Sequence, residues 1–358
     1  MWKSLKDRAE GVKEMKRMKT TEAVGQVLCH DITQIIPGVT KDAVFRKGHI
    51  IREEDIPVLL SVGKDSVYIW ENDETMMHEN DAAEVLYRMT ANEHMHPSDV
   101  KEGKIEAIAD TEGLLKVDRE KLKKVNAFGE MMIATRHGNT VVKKGDKLAG
   151  TRIIPLVIKK DKMQKAEKIC DGTPILKILP FTVKKAAIIT TGNEVYHGRI
   201  KDAFTPVIEQ KIAEFGAEMM FHEIFDDNDR KITDGCLRAI EAGADIVFCT
   251  GGMSVDPDDK TPLAIKNTGA EMISYGSPVL PGAMFLLSYY RKGDKVIPIC
   301  GLPGCAMYNR RTIFDLVLPR LMAADPVTAD ELASLGEGGL CLNCKVCTFP
   351  NCGFGKGW

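Results

Sequence analysis

A chain of 358 residues has room for two or three domains, and its 44% hydrophobic and 28% charged residues match ordinary globular protein, which excludes global disorder. The formal net charge of -2 gives no general drive toward nucleic acid or an anionic membrane, and no stretch reaches the roughly 20 apolar residues of a membrane helix. With no apolar core or cleavage site of a signal peptide at the N-terminus, a cytoplasmic protein with small-molecule or protein partners is expected, its ten cysteines reduced or metal-bound.

Residues 1–18 carry Trp2, Leu5, Ala9 and Val12 at helical spacing amid lysines and arginines, which fits either an amphipathic, mildly basic helix or a leader before Met18. No function is assigned to this extension. From residue 19 to 180, short apolar runs such as Ser66-Val67-Tyr68-Ile69-Trp70 and Ile153-Ile154-Pro155-Leu156-Val157-Ile158 alternate with charged turns, and helices are expected over 55–60 and 82–89. The pattern predicts an α+β region with small β-rich modules. Residues 181–322 alternate strand with helix, with Ile208, Ile212 and Phe215 on one helical face and Ile232, Cys236, Leu237 and Ile240 on another. This predicts a doubly wound α/β domain with a parallel sheet, whose last helix starts near Ala306. Residues 323–340, with Pro326, Gly336, Gly338 and Gly339, read as a linker to a cysteine-rich tail.

Three strand-like runs in the α/β domain stop at glycine turns. Ala186-Ala187-Ile188-Ile189 leads into Thr190-Thr191-Gly192-Asn193-Glu194, Ile246-Val247-Phe248-Cys249 into Thr250-Gly251-Gly252-Met253-Ser254, and Val296-Ile297-Pro298-Ile299-Cys300 into Gly301-Leu302-Pro303-Gly304. Parallel sheets bind ligands beyond the carboxyl ends of their strands, so the turns should share one rim. Glycine lets backbone N–H groups approach an anion, and a following helix N-terminus adds partial positive charge. One such turn is equally well explained as a tight strand-to-helix connection; three on one rim point to a phosphorylated ligand. Glu194 after the first turn and Asp256, Asp258 and Asp259 after the second suit a Mg²⁺ ion between carboxylates and phosphate, or else cap a helix before Pro262.

These motifs, with Pro281-Gly282 between the second and third turns, resemble the molybdopterin-binding domain shared by molybdopterin molybdenumtransferases and the C-terminal part of gephyrin. The resemblance covers residues 181–322 and extends weakly upstream to Glu22-Ala23-Val24-Gly25, Phe45-Arg46-Lys47-Gly48 and Leu60-Ser61-Val62-Gly63. It implies a three-layer α/β domain in an enzyme of molybdenum cofactor biosynthesis, usually dimeric, that binds adenylylated molybdopterin, releases adenylate and inserts molybdate or tungstate with Mg²⁺. It further implies catalytic roles for Glu194 and Asp259. Ligand contacts are implied at Thr191, Gly192, Asn193, Thr250, Gly251, Gly252, Ser254, Pro281, Gly282, Gly301, Leu302, Pro303 and Gly304.

Two departures from the family's pattern stand out. Its Lys-Pro-Gly-Lys-Pro motif is represented by Leu280-Pro281-Gly282-Ala283-Met284, which removes two positive charges, each an interaction of about 1 kcal/mol or more. Cys305 replaces an asparagine and is either an inert small hydrophobe or a site thiol. The alternative function is therefore a non-catalytic protein that binds, delivers or senses molybdopterin, or serves a molybdoenzyme or redox partner.

Cys341, Cys344, Cys347 and Cys352 form C-x2-C-x2-C-x4-C, closer to iron–sulfur spacing than to the separated pairs of zinc sites, with zinc and a reduced disordered tail as the other readings. His78, His94 and His96 share one acidic segment but lack a third ligand at convincing spacing. Arg136 and His137 fit either an interdomain anion contact or a surface ion pair. A nicotinamide-binding reading fails for want of G-x-G-x-x-G after the first strand.

Overall fold

A computed structural model of the chain describes residues 16–36, 40–69, 73–254, 256–257 and 259–357. Most of the N-terminal extension, Trp70 and Asp258 lie outside the described residues.

The first module pairs Arg17–Lys19 with Ser66–Tyr68 and Ile32–Ile36 with Thr40–Phe45, both antiparallel. Its small core includes Leu28, Ile51, Leu59 and Val67, with the helix Ile56–Ser61 started by Pro57 in its first turn. A second core, around Leu86, Ile105, Leu115 and Leu148, unites the helix Glu79–Thr90 with two further antiparallel sheets. One orders Met95–Pro97, Lys104–Ala109, Lys147–Ile153 and Met131–Thr135; the other orders Thr140–Val142, Gly113–Val117 and Leu176–Leu179. The expected α+β region with small β-rich modules is thus present.

Glu79, half-buried at the start of its helix, has its carboxyl pushed up to about 7 by burial, against the pull of Arg152. The folded state then holds a proton that the unfolded state releases near pH 4.5, so this group's contribution to stability falls as pH rises from 4.5 to 7. Glu79→Gln should flatten the pH dependence of the urea midpoint in that window; an unaltered slope would show that Glu79 titrates normally.

The α/β domain begins with β1 (Lys185–Thr191), α1 (Asn193–Tyr196), α2 (Phe204–Ala213) and β2 (Glu218–Phe225). It continues through α3 (Asp229–Glu241), β3 (Ile246–Thr250), α4 (Thr261–Asn267) and β4 (Glu271–Tyr275). It ends with β5 (Leu286–Lys292), β6 (Lys295–Leu302), α5 (Cys305–Tyr308), α6 (Ile313–Met322) and α7 (Ala329–Ser334). The sheet order is β2-β1-β3-β6-β5-β4. β2, β1, β3 and β6 run parallel, and β5 runs antiparallel between β6 and edge strand β4, so the sheet is mixed rather than wholly parallel. A tight hairpin at Gly293 joins β5 to β6 and reverses the chain where a helical crossover is expected.

Side chains alternate across this sheet. Ala186, Ile188, Ile246 and Phe248 enter one core with Ile208, Ile212, Phe314 and Leu318 from α2 and α6. Ala187, Ile189, Val247 and Cys249 enter the other with Ile232, Ile240, Ala264 and Ile265 from α3 and α4. Burial on both faces explains why these strands are continuous apolar runs, and it creates the three layers. The helix expected from Ala306 is broken: α5 ends at Tyr308, and α6 restarts with a capping box between Thr312 and Asp315. The stretch 323–340, expected as a linker, contains α7, itself started by a Thr328–Glu331 capping box. Lys116 joins Asp325 at 2.7 Å, and Arg119 donates to the Gly357 carbonyl at 3.3 Å, tying the preceding module to the end of the chain.

Candidate functional site at the strand ends

Register fixes the rim. Thr190 pairs with Thr250, and Thr250 with Leu302, so the three glycine turns leave adjacent parallel strands at one level. The Thr191 hydroxyl donates to the Thr250 carbonyl at 3.1 Å and shares a 3.0 Å hydrogen bond with the Thr261 hydroxyl, linking the first turn, the second turn and α4. The Gly192 amide donates to the Phe225 carbonyl at 3.2 Å and the Asn193 amide to Asp227 Oδ2 at 3.1 Å, which attaches the first turn to the end of β2.

Gly251 is required sterically. Its φ of +81° is left-handed, and a Cβ there would lie 2.1 Å from the Thr191 carbonyl oxygen. Gly251→Ala should cost on the order of 1–3 kcal/mol and separate the first two turns. Urea unfolding of the variant checks this, and an unchanged midpoint would contradict the close approach.

The rim also holds polar atoms with nothing to bond. Thr250 Oγ1, Asp259 Oδ2 and Asp226 Oδ1 are buried without a hydrogen-bond partner among the described residues. Leaving such groups unsatisfied costs free energy, and each of the three lies at or just beyond the carboxyl end of β2 or β3, the edge of the sheet where a ligand is expected. Helix capping does not consume Asp256 or Asp259: the N-cap of α4 is Lys260, with no side-chain cap, and Pro262 lies in its first turn. Asp256 is exposed, and its carbonyl accepts from the Asp259 amide at 3.0 Å.

Other expected site residues are placed differently. Glu194 is exposed, its carboxyl lying beside Gly192. Ser254 is exposed at the rim, and its carbonyl accepts from the Tyr275 hydroxyl at 3.4 Å. The Leu302 side chain is fully buried in the core, which leaves its backbone as the part available to a ligand. Pro281 and Gly282 are seated on the start of α6, where the Ile313 amide donates to the Pro281 carbonyl at 3.1 Å. A Cβ on Gly282 would meet the Ile313 side chain at 2.3 Å. Gly304 precedes α5, and burial pushes the Cys305 thiol up, which suits the inert reading of that cysteine. Because α1, α4 and α5 are only four, seven and four residues long, the helix-dipole contribution expected at these turns is small.

Three participants are not evident from motifs alone. Asp226 and Asp227 close the β2 end, although an acidic loop before a helix signals only a cap. Tyr275, on edge strand β4, donates to the Met253 carbonyl at 3.1 Å, and burial together with the Asp259 charge pushes its phenol up.

Elsewhere, His96 pairs with Asp110 at 2.6 Å, His94 with Glu93 at 3.7 Å, and His78 contacts the Cys29 carbonyl at 2.7 Å, so the three histidines are spent separately. Arg136 forms a surface ion pair with Asp146 at 3.0 Å. His137 lines a cavity of about 650 Å³ between the β-rich region, α6 and the C-terminal tail, but arginines there are engaged, Arg311 with Asp315 and Arg320 with Glu331. The four terminal cysteines line one separate cavity of about 590 Å³. Among the described residues, no three His, Cys, Asp or Glu side chains converge as a group able to hold a metal ion. No helix among them is long and apolar enough to cross a membrane.

Residues 187–323 match the family described as a probable molybdopterin binding domain, and residues 17–71 match a domain of unknown function, DUF8806. A competence-damage inducible protein of Bacillus cereus (strain B4264) is 30% identical over 129 residues, covering 36% of this chain and 30% of that protein. A counterpart in Bacillus subtilis (strain 168) is 32% identical over 85 residues, covering 24% and 20%. This chain therefore spans less than a third of the length of these curated relatives. Among solved structures, the tungsten cofactor synthesizing protein MoaB from Pyrococcus furiosus aligns at 20% identity and a TM-score of 0.32 over 39% of this chain and 89% of its own. A molybdenum cofactor biosynthesis protein from the same organism aligns over 91% of this chain and 68% of its own, at 12% identity and a TM-score of 0.24. Through residues 187–323, its glycine-turn region, the chain carries a segment that matches the probable molybdopterin binding domain.

Proposed function

We propose that the chain acts in molybdenum cofactor biosynthesis, binding adenylylated molybdopterin at the strand-end rim, releasing adenylate and allowing molybdate or tungstate to enter the freed dithiolene. The observation that carries this reading is the set of buried, unpartnered oxygens of Thr250, Asp259 and Asp226 beside three glycine turns. Asp259 would hold Mg²⁺, with ligand phosphate oxygens and water completing its shell, since the described residues alone assemble no closed site. The ion's contribution is to neutralise and polarise the phosphoanhydride. Backbone amides of the glycine turns orient the phosphates, the Thr191–Thr261 hydroxyl pair keeps two turns in register, and Tyr275 holds the Met253–Ser254 segment that leads to Asp259. Glu194, exposed at the first turn, would orient the attacking water. A homodimer in the cytoplasm is the expected working form.

Non-catalytic binding and delivery is the second reading, favoured by one observation. Leu280 occupies the position of a family lysine, is 56% exposed, and has its backbone engaged by the C-terminal tail, so an uncharged side chain stands where the family places a cation. Incubation with adenylylated molybdopterin, Mg²⁺ and molybdate decides between the two. Adenylate release supports the enzyme, ligand retention without release supports the carrier, and failure to bind the ligand overturns both.

A further inference from the structure

We propose that Cys341, Cys344, Cys347 and Cys352 bind a [4Fe–4S] cluster in the cavity they line together, beside the Pro281–Gly282 loop. The frame around that cavity is built into the domain. Leu340 bridges Leu280, the Leu280 amide donates to the Gly339 carbonyl and the Cys341 amide to the Leu280 carbonyl, both at 2.8 Å, and the Gly355 amide donates to the Gly338 carbonyl at 3.0 Å. Phe354 is buried against the α6 side of the sheet, and the Arg311 guanidinium stacks 4.8 Å from the Phe349 ring centre. Both ends of the cysteine segment are therefore anchored.

Between those anchors the chain has no regular secondary structure, and Leu342 and Val346 are 77% and 76% exposed. So short a loop has no core of its own to fix it; bonds from thiolates to a metal centre supply that fixation. The arrangement also distinguishes the centre. A single zinc ion draws its thiolates to about 2.3 Å from one point, most often from two C-x2-C pairs set well apart in sequence, whereas these four cysteines fall within one short run, Cys341 to Cys352. A cubane cluster takes each cysteine on a different iron, so its ligands stand farther apart around a filled volume, which a cavity of about 590 Å³ accommodates. Arg310 lines the same cavity and donates to the Lys345 carbonyl at 3.1 Å, which places basic side chains beside a centre whose four thiolates make it anionic.

The test uses the full chain, purified anaerobically and incubated with ferrous iron and sulfide. About four irons and four sulfides per chain are expected, with a broad visible absorption that bleaches on dithionite reduction. Cys344→Ala and Cys347→Ala should each lose most of the iron and the absorption while keeping the wild-type circular dichroism. Cys29→Ala, in the first module, should retain both. Colourless protein after reconstitution, one zinc per chain that excludes iron, or unchanged iron in a Cys344→Ala/Cys347→Ala double variant would each overturn the cluster. These readouts do not involve the strand-end ligand, so a failure here is distinguishable from a failure of molybdopterin binding.

Discussion

Asp259→Ala is expected to slow adenylate release by ~10²–10³-fold, the loss typical when one preorganised electrostatic group is removed from a reacting centre. The aspartate is singled out because one of its oxygens is buried without a partner while it neither caps α4 nor forms an ion pair with a described residue. Removing a carboxylate that only satisfies protein contacts would destabilise the fold. Removing one that waits for a cation should instead leave the fold intact and relieve a desolvation cost. The expected signature is a urea midpoint equal to or above wild type, lost turnover and a weaker response to added Mg²⁺. Asp259→Asn should behave like the alanine variant, because its amide keeps the shape and loses the charge. Glu194→Ala should also abolish release without altering the midpoint, since its carboxyl is exposed. Turnover at the wild-type rate in either position would remove that residue from the mechanism.

The largest expected effect on stability is at Arg320. Its guanidinium, with 7% of the side chain exposed, donates to Asp325 at 2.5 Å, to Glu331 at 2.8 Å and to the Pro326 carbonyl at 2.6 Å, clamping the end of α6 to α7. Arg320→Ala leaves Asp325 with Lys116 alone and Glu331 with its capping contacts, and should cost about 3 kcal/mol, the lower end for breaking a buried pair because both carboxylates are partly hydrated. Thermal and urea unfolding measure it, and a loss below about 1 kcal/mol would place the clamp among ordinary surface pairs. Burial raises the Glu331 carboxyl, but the Thr328 amide and Arg320 together hold it below its usual value of 4.5. Wild-type stability from this contact is therefore present above pH 4.5 and lost as pH falls below it, and the variant should show a shallower acid limb.

Much of the α/β domain is legible in sequence because both faces of β1, β3 and β6 are buried, which writes each strand as an unbroken apolar run ending at glycine. Edge strand β4 is not, since most of Glu271–Tyr275 is half-buried or exposed and lacks that signature. Its partner β5 turns into β6 through an ordinary charged hairpin. The break between α5 and α6 is hidden because Met307, Phe314, Leu318 and Leu321 keep helical spacing across it, and α7 is masked by the glycines that follow it. At the rim, the motifs mark the turns but not the carboxylates and phenol that surround them: Asp226 depends on parallel pairing of β2 with β1, and Tyr275 on the position of β4. Burial likewise separates the Leu302 backbone from its side chain, a distinction no motif contains.

The bridge between Leu280 and Leu340 joins the Pro281–Gly282 loop to the chain terminus through main-chain hydrogen bonds, independent of either leucine's side chain. Any molecule that holds this loop in one conformation also restrains the tail, and anything that orders the tail restrains the loop by the same free energy. Occupancy of one would then be readable as slowed amide exchange or proteolysis at the other. The two ends of this connection would respond as a single thermodynamic unit, although about sixty residues separate them along the chain.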